Sequence, residues 1–409
     1  MLSVESGLAD RLGCSLTAFL YALLTDRVFE YVWYGHHVLW ESYQSPWIDW
    51  RAPPRDVSRG VTVPAPPGAP GPVLPIVLEN HHWSRPNRTT LNADFYINPP
   101  NEAVKAWVQN LFNSGDVMEY GRDHDVVQWM LNLGLLRFAF NNPHLQKRLQ
   151  ELGLTWQNVV PCLFNYLYVP SPEALSIFRR TPLLHTLLDP NNIVIGIQIR
   201  LGDWVFNQPA NAAQGVMHLQ YGNWHFHCAQ QLTDELIASG AAHIPGAPLQ
   251  LQRRASFLSL RGVSRRNAAD AGGGSGAAGG RRKVYWLLIS DSGALRAAAL
   301  QKYNDGRLLV ADDFPRNRQT GLHVAATEMW LFGLASMHVV STGSAFGRLG
   351  ALAGGPKSLD GQEAARYRIY GVTNRLKHCR LAGPDPTEAV ASCGRAATGA
   401  ETEAVKGAP

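Results

Sequence analysis

The sequence predicts an α/β protein of two domains, the second of them doubly wound. Three observations carry this. The chain has 409 residues, more than one hydrophobic core usually supports. From about residue 190 onward, short apolar runs alternate with stretches of helical spacing, the pattern of strands buried on both faces and covered by helices. Near the start, residues 7–25 read as a helix followed by a strand, half of another α/β unit.

In GLADRLGCSLTAFLYALLT (7–25), Leu8, Leu12, Leu16, Phe19, Leu20, Leu23 and Leu24 form one apolar stripe at helical spacing. VFEYVWY (28–34) reads as the strand that follows. The leading strand of that unit is barely present at MLSV, so the chain is expected to begin late in it. Residues 52–75 are rich in Pro and Gly and read as a long surface loop. Residues 101–188 are mostly helical by pattern, in EAVKAWVQNLF and in HDVVQWMLNLGLLRFAF among others.

NNIVIGIQIRLGD (191–203) is a continuous apolar strand that ends in a polar turn. After it, VYWLLIS (284–290), RLLVAD (307–312) and MHVVS (337–341) read as strands. SGALRAAALQKY (292–303) and ATEMWLFGLAS (325–336) read as helices, and TGSAFGRLGALAG as a turn into another. This regular alternation predicts a parallel sheet with helices on both faces. The expected domains are 1–190 and 191–382, with a disordered insertion at 245–283 and a disordered tail at 383–409. The insertion holds GGGSGAAGG and clustered arginines and has no apolar period.

Apolar residues make up 45% and charged residues 17% of the chain, a packed globular composition. The 12 tryptophans suit either core filling or stacking on sugar rings. The net charge of +5 is local. Residues 245–283 carry eight basic side chains against Asp270, a charge of +7, which leaves the rest at −2. A nucleic-acid-binding surface on the folded part is therefore not expected. Five scattered cysteines exclude a disulfide scaffold and a cysteine zinc site, and leave open one or two bridges in a secretory lumen. No run of about 20 uncharged apolar residues is present, so neither a membrane span nor a clear signal peptide is expected in this chain.

In an open α/β sheet, ligands sit beyond the carboxyl ends of the strands. Arg200 ends an apolar strand and is followed by Gly202 and Asp203. A guanidinium there suits a diphosphate, and the alternative is a structural Arg–Asp pair. Ser341, Thr342, Gly343, Ser344, Ala345, Phe346, Gly347 and Arg348 place small residues before a helix N-terminus, which suits an anion or simply makes a tight turn. Asp291 and Ser292 follow a third strand and either face the same ligand or cap the next helix. Together on one sheet, these ends predict a nucleotide site.

In their order, SGLADRLGCSLTAFLYALLTDRV, IGIQIRLGD and ATEMWLFGLASMHVVSTGSAFGRLGAL resemble motifs of the plant xyloglucan-type fucosyltransferases. The resemblance covers roughly residues 1–50 and 190–355, with a weaker echo at LLRFAFNNP. It implies the GT-B fold, two Rossmann-like domains facing a cleft, with the acceptor on the 1–190 side and GDP-fucose held by 191–382. Arg200 falls where the family grips the GDP phosphates. Gln198 stands where the wider group often has histidine, as it does in the plant branch. Glu328 matches an acid set against guanine; by itself it reads equally well as an exposed helix acid. Ser344, Ala345, Phe346 and Gly347 match the loop that wraps the diphosphate, and Arg348 matches a basic residue that closes it; Asp291, Thr342 and Gly343 join the candidate binding residues from their place at the strand ends.

The reaction so implied is inverting transfer of L-fucose to a sugar hydroxyl of a cell-wall-type polysaccharide, such as a xyloglucan galactose, giving an α1,2 linkage. No metal or other cofactor is expected. Asp203 and Asp125 are the candidate acids beside Arg200. The Golgi lumen is the implied location, with a membrane anchor only in a longer form. Two rival readings stay open. One is a non-catalytic relative that binds glycan or GDP. The other is a metal-dependent glycosyltransferase using Asp123 and Asp125, whose D-x-D lacks a preceding apolar strand and is read at a helix start. The pairs His36–His37, His81–His82 and His225–His227 read as solvated or aromatic-cluster histidines.

Overall fold

A computed structural model describes residues 7–31, 39–51, 60–62, 77–79, 90–95, 102–124, 126–131, 135–179, 182–202, 205, 211–245, 282–311, 321–354, 368–372 and 380–381. Most of the expected Pro-rich loop and insertion, and the expected tail, fall outside these residues. The described residues form two units. The first draws on Met1–Ala174 and Asn317–Thr327, the second on Leu175–Arg316 and Glu328–Thr387.

In the first unit the expected N-terminal helix spans Leu8–Leu24 and buries Leu12, Leu16, Phe19, Leu20 and Leu24. Its end is tied to a distant turn. The Arg27 guanidinium donates to the carbonyls of Gly121 and His124 at 2.8 Å each. Strand pairs are short: β1 (Tyr43–Gln44) lies antiparallel to β6 (Val169–Pro170), and β2 (Gly60–Thr62) antiparallel to β3 (Val77–Glu79). The pair β4 (Thr90–Phe95) and β5 (Val126–Leu131) is parallel. Of the strand expected at 28–34, residues 32–34 lie outside the described residues, and Tyr31 forms an isolated bridge to Arg51.

Strand β5 replaces part of the helix expected over 124–140. VVQWML is β-branched and aromatic, and a short apolar run of this kind fits either state until a partner strand decides it. Here β4 supplies the partner. Buried aromatics fill this unit, with Tyr43, Trp50, Phe164 and Tyr168 each 0–1% exposed. Their polar ends are satisfied, as a buried phenol or indole requires: Tyr43 donates to the Ala326 carbonyl at 2.6 Å and Trp50 to that of Leu167 at 2.8 Å.

The second unit holds a seven-stranded sheet. Its strands are β7 (Asn192–Ile199), β8 (Ala242–His243), β9 (Arg282–Ser290), β10 (Leu308–Val310), β11 (Met337–Ser341), β12 (Arg368–Val372) and β13 (Arg380–Leu381). The order is β10-β9-β7-β11-β12-β13, with β8 beside β9, and only β13 runs antiparallel. Arg282 and Lys283, read in sequence as part of the insertion, open β9.

The predominantly apolar run of β7, buried from Ile193 to Ile199, has a direct explanation, because its successive side chains enter two different cores. Ile193, Ile195, Ile197 and Ile199 pack with Phe226, Leu232 and Leu236 of the helix Asn223–Ala238 and with Leu295 of the helix Gly293–Lys302. Val194 packs on the other face with Leu331 and Phe332 of the helix Gly321–Gly333 and Ala351 of the helix Ala345–Gly354. Gly196 allows the second layer to come close, since a Cβ there would stand 2.7 Å from the Phe332 ring. The sheet is doubly wound, as the alternation of patterns predicts.

Cys162 and Cys228 are disulfide-bonded, and Cys14 is a buried free thiol. Among the described residues no helix is long and apolar enough to cross a membrane.

Candidate anion site at the strand ends

From β7 the chain crosses to β9 on one side, and later returns to β11 on the other. That reversal opens a crevice beyond the carboxyl ends of the central strands. Arg200 sits there, directly after β7. Its backbone N–H donates to Ser341 Oγ of β11 at 3.1 Å, and its Nη1 lies 3.1 Å from Asp291 Oδ2 beyond β9. The Arg200 side chain is 39% exposed while that of Asp291 is 4% exposed. The same carboxylate accepts from the N–H groups of Leu201 and Gly202, each at 3.0 Å. Gly202 has φ 119°, a conformation open to glycine and strained for other residues. The sharp turn expected after Arg200 is thus present and is wound around Asp291.

Asp291 therefore differs from its sequence reading as a ligand-lining residue: its oxygens are turned inward onto the 200–202 turn. Ser292 caps the next helix, its Oγ accepting from Leu295 N–H at 3.0 Å.

The turn after β11 divides its labour residue by residue. Thr342 is committed to the sheet, donating through both N–H and Oγ1 to the Val372 carbonyl. Ser344 is buried and caps the helix Ala345–Gly354, its Oγ accepting from Gly347 N–H at 3.3 Å. Arg348 N–H donates to the Ser344 carbonyl. Among the described residues, the N–H groups of Gly343, Ala345 and Phe346 have no partner. They form the start of a ten-residue helix, where the backbone dipole favours an anion. Gly343, Ala345 and Arg348 are exposed.

Gly347 is small for a reason that sequence reasoning missed. A Cβ there would stand 2.3 Å from Gln198 Oε1 and 2.8 Å from its Cδ. The close approach is to the buried Gln198 side chain of β7, 3% exposed.

Glu328 is 4% exposed, so the reading as an exposed helix acid is overturned. It lies one helical turn before Phe332, on the face that the helix Gly321–Gly333 turns toward β7. Asp203 and Asp125 fall outside the described residues. Asp123 lies in the turn that Arg27 clamps and not at a helix start. Among the described residues, no group of three or more His, Cys, Asp or Glu is placed to hold a metal ion.

Two histidines of the site were not foreseen as members of it. His225 Nε2 lies 3.0 Å from Ser341 Oγ, and His218 Nδ1 lies 2.7 Å from Ser292 Oγ. Burial depresses the His225 pKa to about 4, so the ring is neutral at ordinary pH. Burial lowers that of His218 as well, opposed by the nearby Asp291 carboxylate. His225 had been grouped with His227 only by spacing. In the structure they part, His227 meeting the Trp224 ring edge-on at 5.9 Å.

No family model matches the sequence, and no curated protein matches it. Among solved structures, the chain is similar to an arginine-to-lysine mutant of Arabidopsis thaliana FUT1 in complex with GDP. Identity is 17%, the TM-score is 0.52, and the match covers 93% of this chain and 73% of that one. It is also similar to the NodZ alpha-1,6-fucosyltransferase soaked with GDP-fucose, at 14% identity and TM-score 0.42, over 92% and 96% of the two chains. A fucosyltransferase NodZ structure from Bradyrhizobium matches at 13% identity and TM-score 0.42, over the same shares. The first of these places the fold with that of the FUT1 structure.

Proposed function

We propose that this protein is a fucosyltransferase that moves L-fucose from GDP-fucose to a sugar hydroxyl. The observation that carries the reading is Arg200, held at the carboxyl end of the central strand at the same strand ends as the N–H groups of Gly343, Ala345 and Phe346, which have no partner among the described residues. A cation and a helix N-terminus at a topological switch point suit a nucleotide diphosphate. The sequence resemblance in three ordered motifs supports the donor, and so does the likeness in fold to a GDP-bound FUT1 structure.

The chemistry follows from the donor. As the bond from fucose C1 to the diphosphate oxygen breaks, positive charge spreads over C1 and the ring oxygen, and negative charge grows on the leaving GDP. The Arg200 guanidinium and the N–H groups of Gly343, Ala345 and Phe346 meet that growing charge where it forms, which lowers the barrier. Attack by the acceptor hydroxyl from the opposite face inverts the centre, and its proton passes to a base, for which Asp203 and Asp125 are the candidates. Glu328, inside the protein, is the acid assigned to guanine, where one carboxylate accepts from N1–H and the 2-amino group together. The finer reading is a plant xyloglucan-type enzyme forming an α1,2 link to galactose in the Golgi lumen. The disulfide bonding of Cys162 and Cys228 supports an oxidising compartment.

A calorimetric panel of GDP, GDP-fucose, GDP-mannose and UDP-sugars tests the donor, followed by transfer assays with galactose-bearing xyloglucan fragments. GDP and GDP-fucose are expected to bind and UDP-sugars to fail. GDP binding with no GDP release in the presence of acceptors would favour the non-catalytic relative. Activity lost in EDTA and restored by Mn²⁺ would favour the metal-dependent one.

A further inference from the structure

We propose that Asp291 and Ser341 are positioning residues. From the strands on either side of β7, they hold Arg200 in its gripping orientation before any substrate arrives. The inference rests on the donor-site reading of Arg200 given above.

Asp291 has little left to offer a ligand. An ionised carboxylate has about four lone-pair positions. Here they face Leu201 N–H, Gly202 N–H, Arg200 Nη1 and, at 3.4 Å, Ser290 Oγ. With its side chain 4% exposed, the group is not open to a diphosphate. What it does is join the guanidinium and the two following backbone amides to one rigid point. An arginine side chain is long and flexible, and gripping a phosphate would otherwise cost it rotamer freedom at the moment of binding.

Ser341 completes the hold from the opposite side. Its Oγ accepts from Arg200 N–H, lies 3.4 Å from the Gln198 carbonyl and 3.0 Å from His225 Nε2. A hydroxyl has one proton, and the network closes when Ser341 donates it to Gln198 and the neutral His225 donates from Nε2. Arg200 is then fixed through its own N–H by β11, and through its side chain and the next two amides by Asp291.

The test is a double-mutant cycle on GDP affinity by calorimetry, with fucose transfer as the second readout. Asp291→Asn keeps the shape but turns one acceptor oxygen into a donor facing N–H groups. In the parent background, GDP affinity and kcat should fall about 10- to 100-fold, as expected for losing a charge-assisted bond. In an Arg200→Lys background the same change should cost less than about threefold, because two residues acting through one another are not additive. Ser341→Ala is the milder second variant and should show the same collapse of its effect. Equal losses in both backgrounds would mean a general structural role and overturn the proposal, as would parental affinity and turnover in Asp291→Asn. If Asp291→Asn does not fold, the Ser341→Ala cycle decides by the same criterion. A different result, no GDP binding by the parent or full GDP affinity in Arg200→Lys, would remove the donor-site reading and this inference with it.

Discussion

Replacing Gly347 with alanine adds a single methyl at the tightest point described between β7 and the helix Ala345–Gly354. That methyl would stand 2.3 Å from Gln198 Oε1, 2.8 Å from Cδ and 3.0 Å from Cγ. Rotating the amide would relieve the first contact alone. The other two involve atoms nearer the backbone, on a central strand paired on both sides, in a side chain 3% exposed. Gln198 therefore has to leave its rotamer, or the first turn of the helix has to lift. Overpacking of this kind costs about 1–3 kcal/mol. In a unit of this size that lowers the melting temperature by about 2–10 °C.

The assay is a thermal melt of Gly347→Ala beside Gln198→Ala and the double variant. Gln198→Ala should lose stability alone but restore part of what Gly347→Ala loses, with a coupling of about 1 kcal/mol or more. If Gly347→Ala melts as the parent does, or if the two losses simply add, the contact does not determine why glycine stands there. GDP affinity of the same variants would show whether lifting the turn disturbs the N–H groups of Ala345 and Phe346.

Arg200→Lys keeps the charge and loses the planar fork, so kcat/KM for fucose transfer should fall about 10²-fold, roughly 3 kcal/mol of lost oxyanion-type stabilisation. Its melt should match the parent, since no apolar group is removed. Parental turnover would make this arginine structural. If Glu328 reads guanine as proposed, Glu328→Gln turns one acceptor into a donor and should weaken GDP binding by about 1–3 kcal/mol. Unchanged affinity would place the acid elsewhere. His225 has a folded-state pKa of about 4 against 6.5 unperturbed, so the unfolded chain binds more protons between those values. Its contribution is whole above about pH 6.5 and is lost as pH falls toward 4, up to about 3 kcal/mol. The melting temperature should drop across that window, and His225→Gln should flatten the slope. Equal slopes for the two proteins would refute the burial argument.

The second unit was largely legible because its signals are local. β7 reads as a two-faced strand from seven residues, Ser292 caps its helix through its own third neighbour, and Gly202 marks its turn by being glycine. The site's supports were illegible for the opposite reason. Asp291 reaches 90 residues back to Leu201, and His225 meets Ser341 across 116 positions. Neither pairing leaves a spacing to read. Gly347 looked like a ligand-facing glycine because the side chain it makes room for lies on another strand. In the first unit, two-residue strands such as β1 and β6 carry no period, and VVQWML became a strand only through its register with β4.

The central position of β7 has a consequence for how the chain assembles. Its neighbours are made long after it: the register joins Asn192 to Lys283 on one side and Ile195 to Met337 on the other. During synthesis, a strand apolar on both faces therefore waits with both edges unpaired, the arrangement most open to joining the wrong partner. Such long-range parallel pairing also slows folding, because the loops must close before the contacts form. Chains ending before Ser341 should thus be far less soluble than their composition suggests. The anion site would be among the last features to form, since Arg200 has no shape until strands from both sides have reached it.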